Sequence, residues 1–160
     1  MEPIALGVVI ALVLVLADRL YRRSTRAKGD RRGRQIAVDG TNVLFWRDNA
    51  ADLTTLGQVV RRLREEDFDP VVFLDASSRH HLGDRALNED AFAARLGLTR
   101  NRVMVCPART EADAFILDYA RAQKIPVVSN DRFRDRPREA RNIRLIEGRF
   151  EGPRLVLKNL

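Results

Sequence analysis

The sequence predicts an α/β sandwich around a parallel sheet, preceded by an apolar segment of membrane-spanning size. Three observations carry that expectation. Short runs of strand-forming residues alternate with longer stretches whose apolar residues recur at helical spacing, the pattern of strand–helix–strand units. A composition of 45% hydrophobic and 32% charged residues suits a folded core rather than a disordered chain. At 160 residues the chain is one domain plus extras.

The extras come first. Residues 3–17, PIALGVVIALVLVLA, carry no charge, and the following Asp18-Arg19-Leu20-Tyr21 extends the run toward a headgroup layer. A full span takes about 20 residues, and about 17 suffice with snorkelling flanks. The start Met1-Glu2-Pro3 lacks the basic n-region of a signal peptide, although Val15-Leu16-Ala17 loosely fits a cleavage site. A buried core helix is the third option, disfavoured because the run is apolar all round. Residues 1–22 are therefore expected to be a membrane anchor and 23–34 a basic juxtamembrane linker. The positive-inside rule places the linker and everything after it on the cytoplasmic side, with the N-terminus outside, as in a bacterial-type inner membrane. The linker would also be drawn to anionic headgroups.

Charge is concentrated there. The chain has a net charge of +7 and a pI near 10.6. Residues 1–34 hold eight lysines and arginines against three acids, about +5, which leaves only about +2 for the rest. Net charge is thus weak support for a nucleic-acid-binding domain. Cys106 is the only cysteine, which excludes an internal disulfide and a cysteine-based zinc site.

The remaining elements follow in order. Gln35–Asp39 reads as a buried strand ending in a turn at Gly40. Leu53, Leu56, Val59, Val60 and Leu63 predict a helix over 53–66. Pro70–Asp75 is a second strand, 85–96 a helix, and Val103-Met104-Val105 a third strand. Thr110–Gln123 is a helix, Ile125–Ser129 a fourth strand, Ile143–Ile146 a fifth, and Leu155-Val156-Leu157 a last extended piece. No internal repeat is evident.

In parallel sheets, ligands bind outside the carboxyl ends of the strands, at the topological switch point. Asp39 closes strand one, Asp75 closes strand two, and Asp131 follows strand four. Asp113 falls in the first turn of the helix after strand three. A helix starting at Asp131 would put Asp131 and Asp135 four apart on one face, a repulsive pairing unless a cation lies between them. Hard cations such as Mg²⁺ or Mn²⁺ take carboxylate oxygens, with water and phosphate completing the shell. Each acid has a blander reading: Thr110-Glu111-Ala112-Asp113 fits a helix cap, Asp131 can cap, Asp135 can be solvated, and Asp75 can organise a turn. Asp39 is the hardest to explain away, because an acid behind Ile-Ala-Val at a buried strand end needs a partner.

At IAVDGTNVLFW (36–46), RTEADAFIL (109–117) and VVSNDRFRD (127–135), the chain resembles the NYN branch of the PIN-like nucleases, and especially the Regnase-type (Zc3h12a-like) ribonuclease domain. The resemblance covers about residues 35–147. It implies a PIN-like three-layer α/β/α sandwich over 35–160 and a metal-dependent endoribonuclease acting on single-stranded RNA. Carried over by motif, Asp39, Asp113, Asp131 and Asp135 form the Mg²⁺ (or Mn²⁺) site, with Asn42 as their polar neighbour. Arg109, Arg132 and Asn130 are candidates for the substrate backbone, solvated surface arginines being the alternative. Trp46 can stack on a base or pack in the core. His80 and His81 sit in a polar loop and are not candidates. The chain departs from the resemblance at Ala112, where the Regnase-type domain has a second acid, and it lacks that family's zinc finger.

Two rivals remain. The N-D-x-x-x-D run also resembles the last acidic motif of haloacid-dehalogenase-like phosphatases, but their nucleophile pair needs a second aspartate where this chain has Thr41. The non-enzymatic alternative is a catalytically weak or inactive membrane-tethered RNA-binding or scaffold module of the same fold.

Overall fold

The computed structural model describes residues 33–108, 110 and 112–160. The expected anchor and nearly all of the basic linker lie outside the described residues, as do Arg109 and Glu111. Among the described residues, no helix is long and apolar enough to cross a membrane.

The elements are β1 (Arg34–Asp39), α1 (Gly40–Leu44), α2 (Leu53–Glu65), β2 (Phe68–Leu74), α3 (Ser78–His81), α4 (Glu89–Leu96), β3 (Val103–Val105), α5 (Ala112–Gln123), β4 (Val127–Val128), β5 (Leu145–Glu151) and β6 (Arg154–Lys158). They form one six-stranded sheet in the order β3-β2-β1-β4-β5-β6. The first five strands are parallel, and β6 returns antiparallel to β5. The expectation of a parallel sheet therefore needs an antiparallel edge added, because the two-residue link between β5 and β6 allows only a hairpin. The order runs outward in one direction from β1 to β3 and in the other from β4 to β5. The switch point lies between β1 and β4.

Strand parity sorts the core into two layers. Ile36, Val38, Val72 and Leu74 face a cluster with Leu56, Val59, Val60 and Leu63 of α2 and Phe92 of α4. Ala37, Val71, Phe73 and Val127 face the opposite cluster with Ile116, Leu117 and Ala120 of α5. Asp39 shares parity with Ala37, Asp75 with Phe73, and Ser129 with Val127. All three strand-end side chains are thereby assigned to the α5 face.

Several local expectations change. Gly40 opens a helix instead of a turn, capped by Asp39, whose carboxylate accepts the Asn42 N–H. A side chain at Gly40 would stand 2.7 Å from the Phe73 carbonyl, so only glycine allows α1 to start so close to β2. Helix α4 begins at Glu89 with Asn88 as its cap, and the residues before it form turns. His81 belongs to the short α3 rather than a loop, its ring edge-on to Phe45 at 5.4 Å. Helix α5 starts at Ala112, and the Thr110 hydroxyl donates to the Pro107 carbonyl.

No helix starts at Asp131: residues 131–142 form turns, a bend and irregular backbone. Phe133 adopts a left-handed backbone conformation, φ 49°, and is fully buried in the α5-side cluster. That kink, with Pro137 disfavouring helix in the residue before it, outweighs the local helical pattern.

Gly148 of β5 lies under the indole of Trp46. A β-carbon there would be 2.2 Å from Trp46 Cζ3 and 2.8 Å from Leu157 Cδ2. Gly148→Ala should therefore destabilise the domain by about 1–3 kcal/mol in urea unfolding. A change below about 0.5 kcal/mol would show that the indole moves aside freely.

Candidate active site

The site is built where the sheet divides. Asp39 is 4% exposed at the end of β1. Its Oδ1 accepts the Asn42 backbone N–H at 3.1 Å, and its Oδ2 accepts the Ser129 hydroxyl at 2.7 Å. Ser129, fully buried just past β4, also receives the Asp131 N–H at 3.0 Å. One hydroxyl thus couples the central acid to the backbone of the next one. Asp131 is exposed, and its Oδ1 accepts the Phe133 N–H at 2.8 Å in an Asx turn. This turn replaces the expected helix, so Asp131 and Asp135 do not stack at helical spacing. They nevertheless line one shallow depression with Asn130, Arg132 and Arg134.

Asp113 enters from the first turn of α5, half-buried and without a hydrogen-bond or ion-pair partner among the described residues. Its pKa is pushed up to about 6 by burial and by the charges of Asp131, Asp75 and Asp135. Burial likewise raises Asp39 to about 6, opposed by its bonds from Ser129 and Asn42 and reinforced by the charges of Asp113 and Asp75. Asp113 is the link among the acids: it feels Asp131, Asp75 and Asp135, while Asp39 feels Asp113 and Asp75. Cys106 borders it, its thiol raised to about 11 by burial and by Asp75, Asp113 and Asp39, which leaves it protonated and inert at neutral pH.

A second set of bonds fixes the frame. The Asn130 amide donates to the Gly148 carbonyl at 2.8 Å and accepts the Gly148 N–H at 2.9 Å, extending the short β4 by one side-chain pair. That use occupies the group expected to touch substrate, so Asn130 is a strap between β4 and β5. Asn42 Oδ1 accepts from both the Asn130 N–H at 3.0 Å and the Trp46 indole at 2.8 Å. On the other side of β1, Thr41 Oγ1 accepts the Asp75 N–H at 2.8 Å and lies 3.0 Å from the Ser78 hydroxyl. Arg132 is exposed beside the depression and pairs loosely with Glu147 at 3.6 Å.

Sequence reasoning left Ser129 out of the site, Asp75 at its margin, and Trp46 open between base stacking and core packing. Parity along β4 pointed to Ser129, since a hydroxyl two residues after the buried Val127 shares the face of Asp39. Trp46 had no comparable signal, because its role depends on β5. Ala112, where the resemblance expects an acid, is 4% exposed within the α5-side cluster.

The donor set suits a divalent ion. All its groups are hard carboxylate oxygens, and the like charges that raise Asp39 and Asp113 are what a cation would relieve. Among the described residues, no three Asp, Glu, His or Cys side chains form a ready-made cage. Mg²⁺ commonly uses one or two carboxylates and keeps its waters.

Solved structures share this mostly parallel, six-stranded α/β fold. Residues 32–156 match the Zc3h12a-like ribonuclease NYN domain, and the chain belongs to that family. Its fold is similar to nuclear proteinaceous RNase P 2 (PRORP2) of Arabidopsis thaliana, with a TM-score of 0.62 and 17% identity over 98% of this chain and 36% of that one. A second structure of Arabidopsis thaliana nuclear protein-only RNase P 2 gives 0.59 and 18% identity, over 99% and 37%. The chain thus spans little more than a third of those proteins, and the likeness is one of fold. No curated protein matches the sequence.

The strained acid predicts a pH effect in metal-free buffer. Folding raises the Asp39 pKa from 3.8 to about 6, so the folded state retains a proton that the unfolded chain has released. That stability is complete below 3.8 and lost as pH rises through about 6. Asn at position 39 can accept the Asn42 N–H and donate to Ser129. Metal-free Asp39→Asn should therefore be more stable than the parent at pH 7 by about 1–3 kcal/mol, and by much less at pH 4. Equal denaturation midpoints at both pH values would contradict it.

Proposed function

We propose that this chain is a metal-dependent endoribonuclease that hydrolyses phosphodiester bonds of single-stranded RNA. The observation that carries this reading is the crowding of Asp39, Asp113, Asp131 and Asp135 at the switch point, with Asp39 and Asp113 held above their ordinary range. Membership in the ribonuclease NYN family supports it.

Asp39 and Asp131 would hold the ion directly, while Asp113 and Asp135 would hold its waters or a second ion. Bound Mg²⁺ or Mn²⁺ would lower the pKa of a water and offset the charge that grows on the phosphate. The chain's own part is positional. Ser129 and the α1 cap fix the Asp39 carboxylate, and the Asx turn fixes Asp131. Arg132, exposed at the edge of the depression, and Arg109 would bind backbone phosphates and set the strand's course. Attack of a water oxygen on phosphorus would break the bond to the leaving oxygen, the water giving up a proton and the leaving oxygen taking one up, and would yield two shorter strands. The apolar segment at residues 3–17 would tether this chemistry to a membrane, with the nuclease domain on the cytoplasmic face.

A binding or scaffold role is the second reading, favoured by the buried Ala112 at a position where the resemblance expects an acid. The two separate in one assay. With single-stranded RNA and Mn²⁺ or Mg²⁺, the chain should cleave internally, chelation should abolish cleavage, and Asp39→Asn or Asp131→Asn should each lower it at least about 100-fold. Cleavage surviving both substitutions would refute the mechanism, and RNA binding without cleavage would establish the scaffold.

Localisation has its own test. The full chain should sediment with membranes and resist alkaline extraction, whereas deletion of residues 1–32 should release a folded domain. Extraction of the full chain by alkali would remove the anchor from the proposal.

A further inference from the structure

We propose that Trp46 is a positioning residue for the reaction: its indole N–H locks the Asn42 amide so that the amide NH₂ faces solvent beside the acid cluster, ready to donate to an oxygen of the scissile phosphate. The role rests on the nuclease reading above and adds to it a residue outside the acidic motif.

An asparagine amide has two ends of nearly the same shape, and an amide at a wet site turns over unless its partners choose for it. At Asn42 the choice is made twice. The Trp46 indole at 2.8 Å and the Asn130 backbone at 3.0 Å are both pure donors, and both meet Oδ1. Nδ2 is left as the outward end. It has no hydrogen bond among the described residues and is not a buried orphan, so it reaches solvent. The same residue's backbone N–H holds Asp39 Oδ1, so Asn42 stands on the turn that directly follows the central carboxylate. Reversed, the amide would turn a carbonyl oxygen toward a site that must receive phosphate. A fixed donor there strengthens as charge grows on the phosphate.

The indole is itself held. Its ring lies where a β-carbon on Gly148 would be, 2.2 Å from Cζ3, and the Asn130 strap fixes that part of β5 against the end of β4. Its N–H is thus committed to Asn42 and the edge of its six-membered ring to Gly148.

Phenylalanine at 46 keeps a ring against Gly148 and removes only the donor. Turnover of single-stranded RNA with Mn²⁺ is compared for the parent chain, Trp46→Phe, Asn42→Ala and the double variant. Trp46→Phe should lower kcat by about 3- to 30-fold with KM within about twofold. Asn42→Ala should cost at least as much, and the double variant should match Asn42→Ala alone. Unchanged kcat in Trp46→Phe, or penalties that multiply, would overturn the role. Trp46 is the only tryptophan, so its indole N–H resonance needs no further assignment. Asn42→Ala should move that resonance upfield and speed its hydrogen exchange. An unmoved resonance in a cleaving enzyme refutes this inference alone. A responsive resonance in a chain that never cleaves RNA refutes the nuclease reading, and the catalytic role with it.

Discussion

A carboxylate buried at the end of the central strand is the constraint around which this domain is arranged. Asp39 lies where β1 meets the division of the sheet, 4% exposed and within the field of Asp113 and Asp75. Leaving water raises the energy of its charged form, and two hydrogen bonds return only part of that. The neighbouring strand ends are organised to supply those bonds: α1 begins immediately so that its N–H can reach Oδ1, and β4 stops after two residues so that Ser129 can reach Oδ2.

Stopping β4 early creates a second problem, since β5 continues beyond it with unpaired backbone groups. Asn130 solves it with a side chain, its amide pairing both the N–H and the carbonyl of Gly148. The main chain is then free to turn outward and present Asp131. Asn42 and Trp46 close the frame from the opposite layer. Asp39 and Asp75 share the parity of the α5-side residues, Asp113 comes from α5 itself, and Trp46 packs against the other cluster.

Electrostatics fits the same division. An acidic centre with carboxylates above their ordinary range is costly when empty and attractive to a small hard cation. Exposed arginines follow at once along the loop after β4, with Arg132 only loosely paired to Glu147. A polyanion is repelled by such a centre and attracted by its border, so binding of RNA and binding of metal would reinforce each other. Burying Ala112 in the α5-side cluster keeps a further negative charge away.

Strand–helix alternation, the acids at strand ends and the family resemblance were legible in the sequence, because hydrophobic periodicity and short motifs are local properties. The alternation located five strands closely and only the first two residues of β5, and the β1–β4 register was needed to put Asp39 and Ser129 on one face. What local pattern left undecided depends on contacts between distant segments. Burial of Phe133 turned an expected helix at Asp131 into an Asx turn. The meeting of Asn130 with Gly148 made a presumed substrate contact into a strap, and the space above Gly148 made Trp46 a partner of Asn42. Sequence determined which groups were available, since composition and periodicity are carried by neighbouring residues. Tertiary structure decided which atoms each polar group would face, because hydrogen bonds are satisfied by whatever the packed layers bring within 3 Å or so.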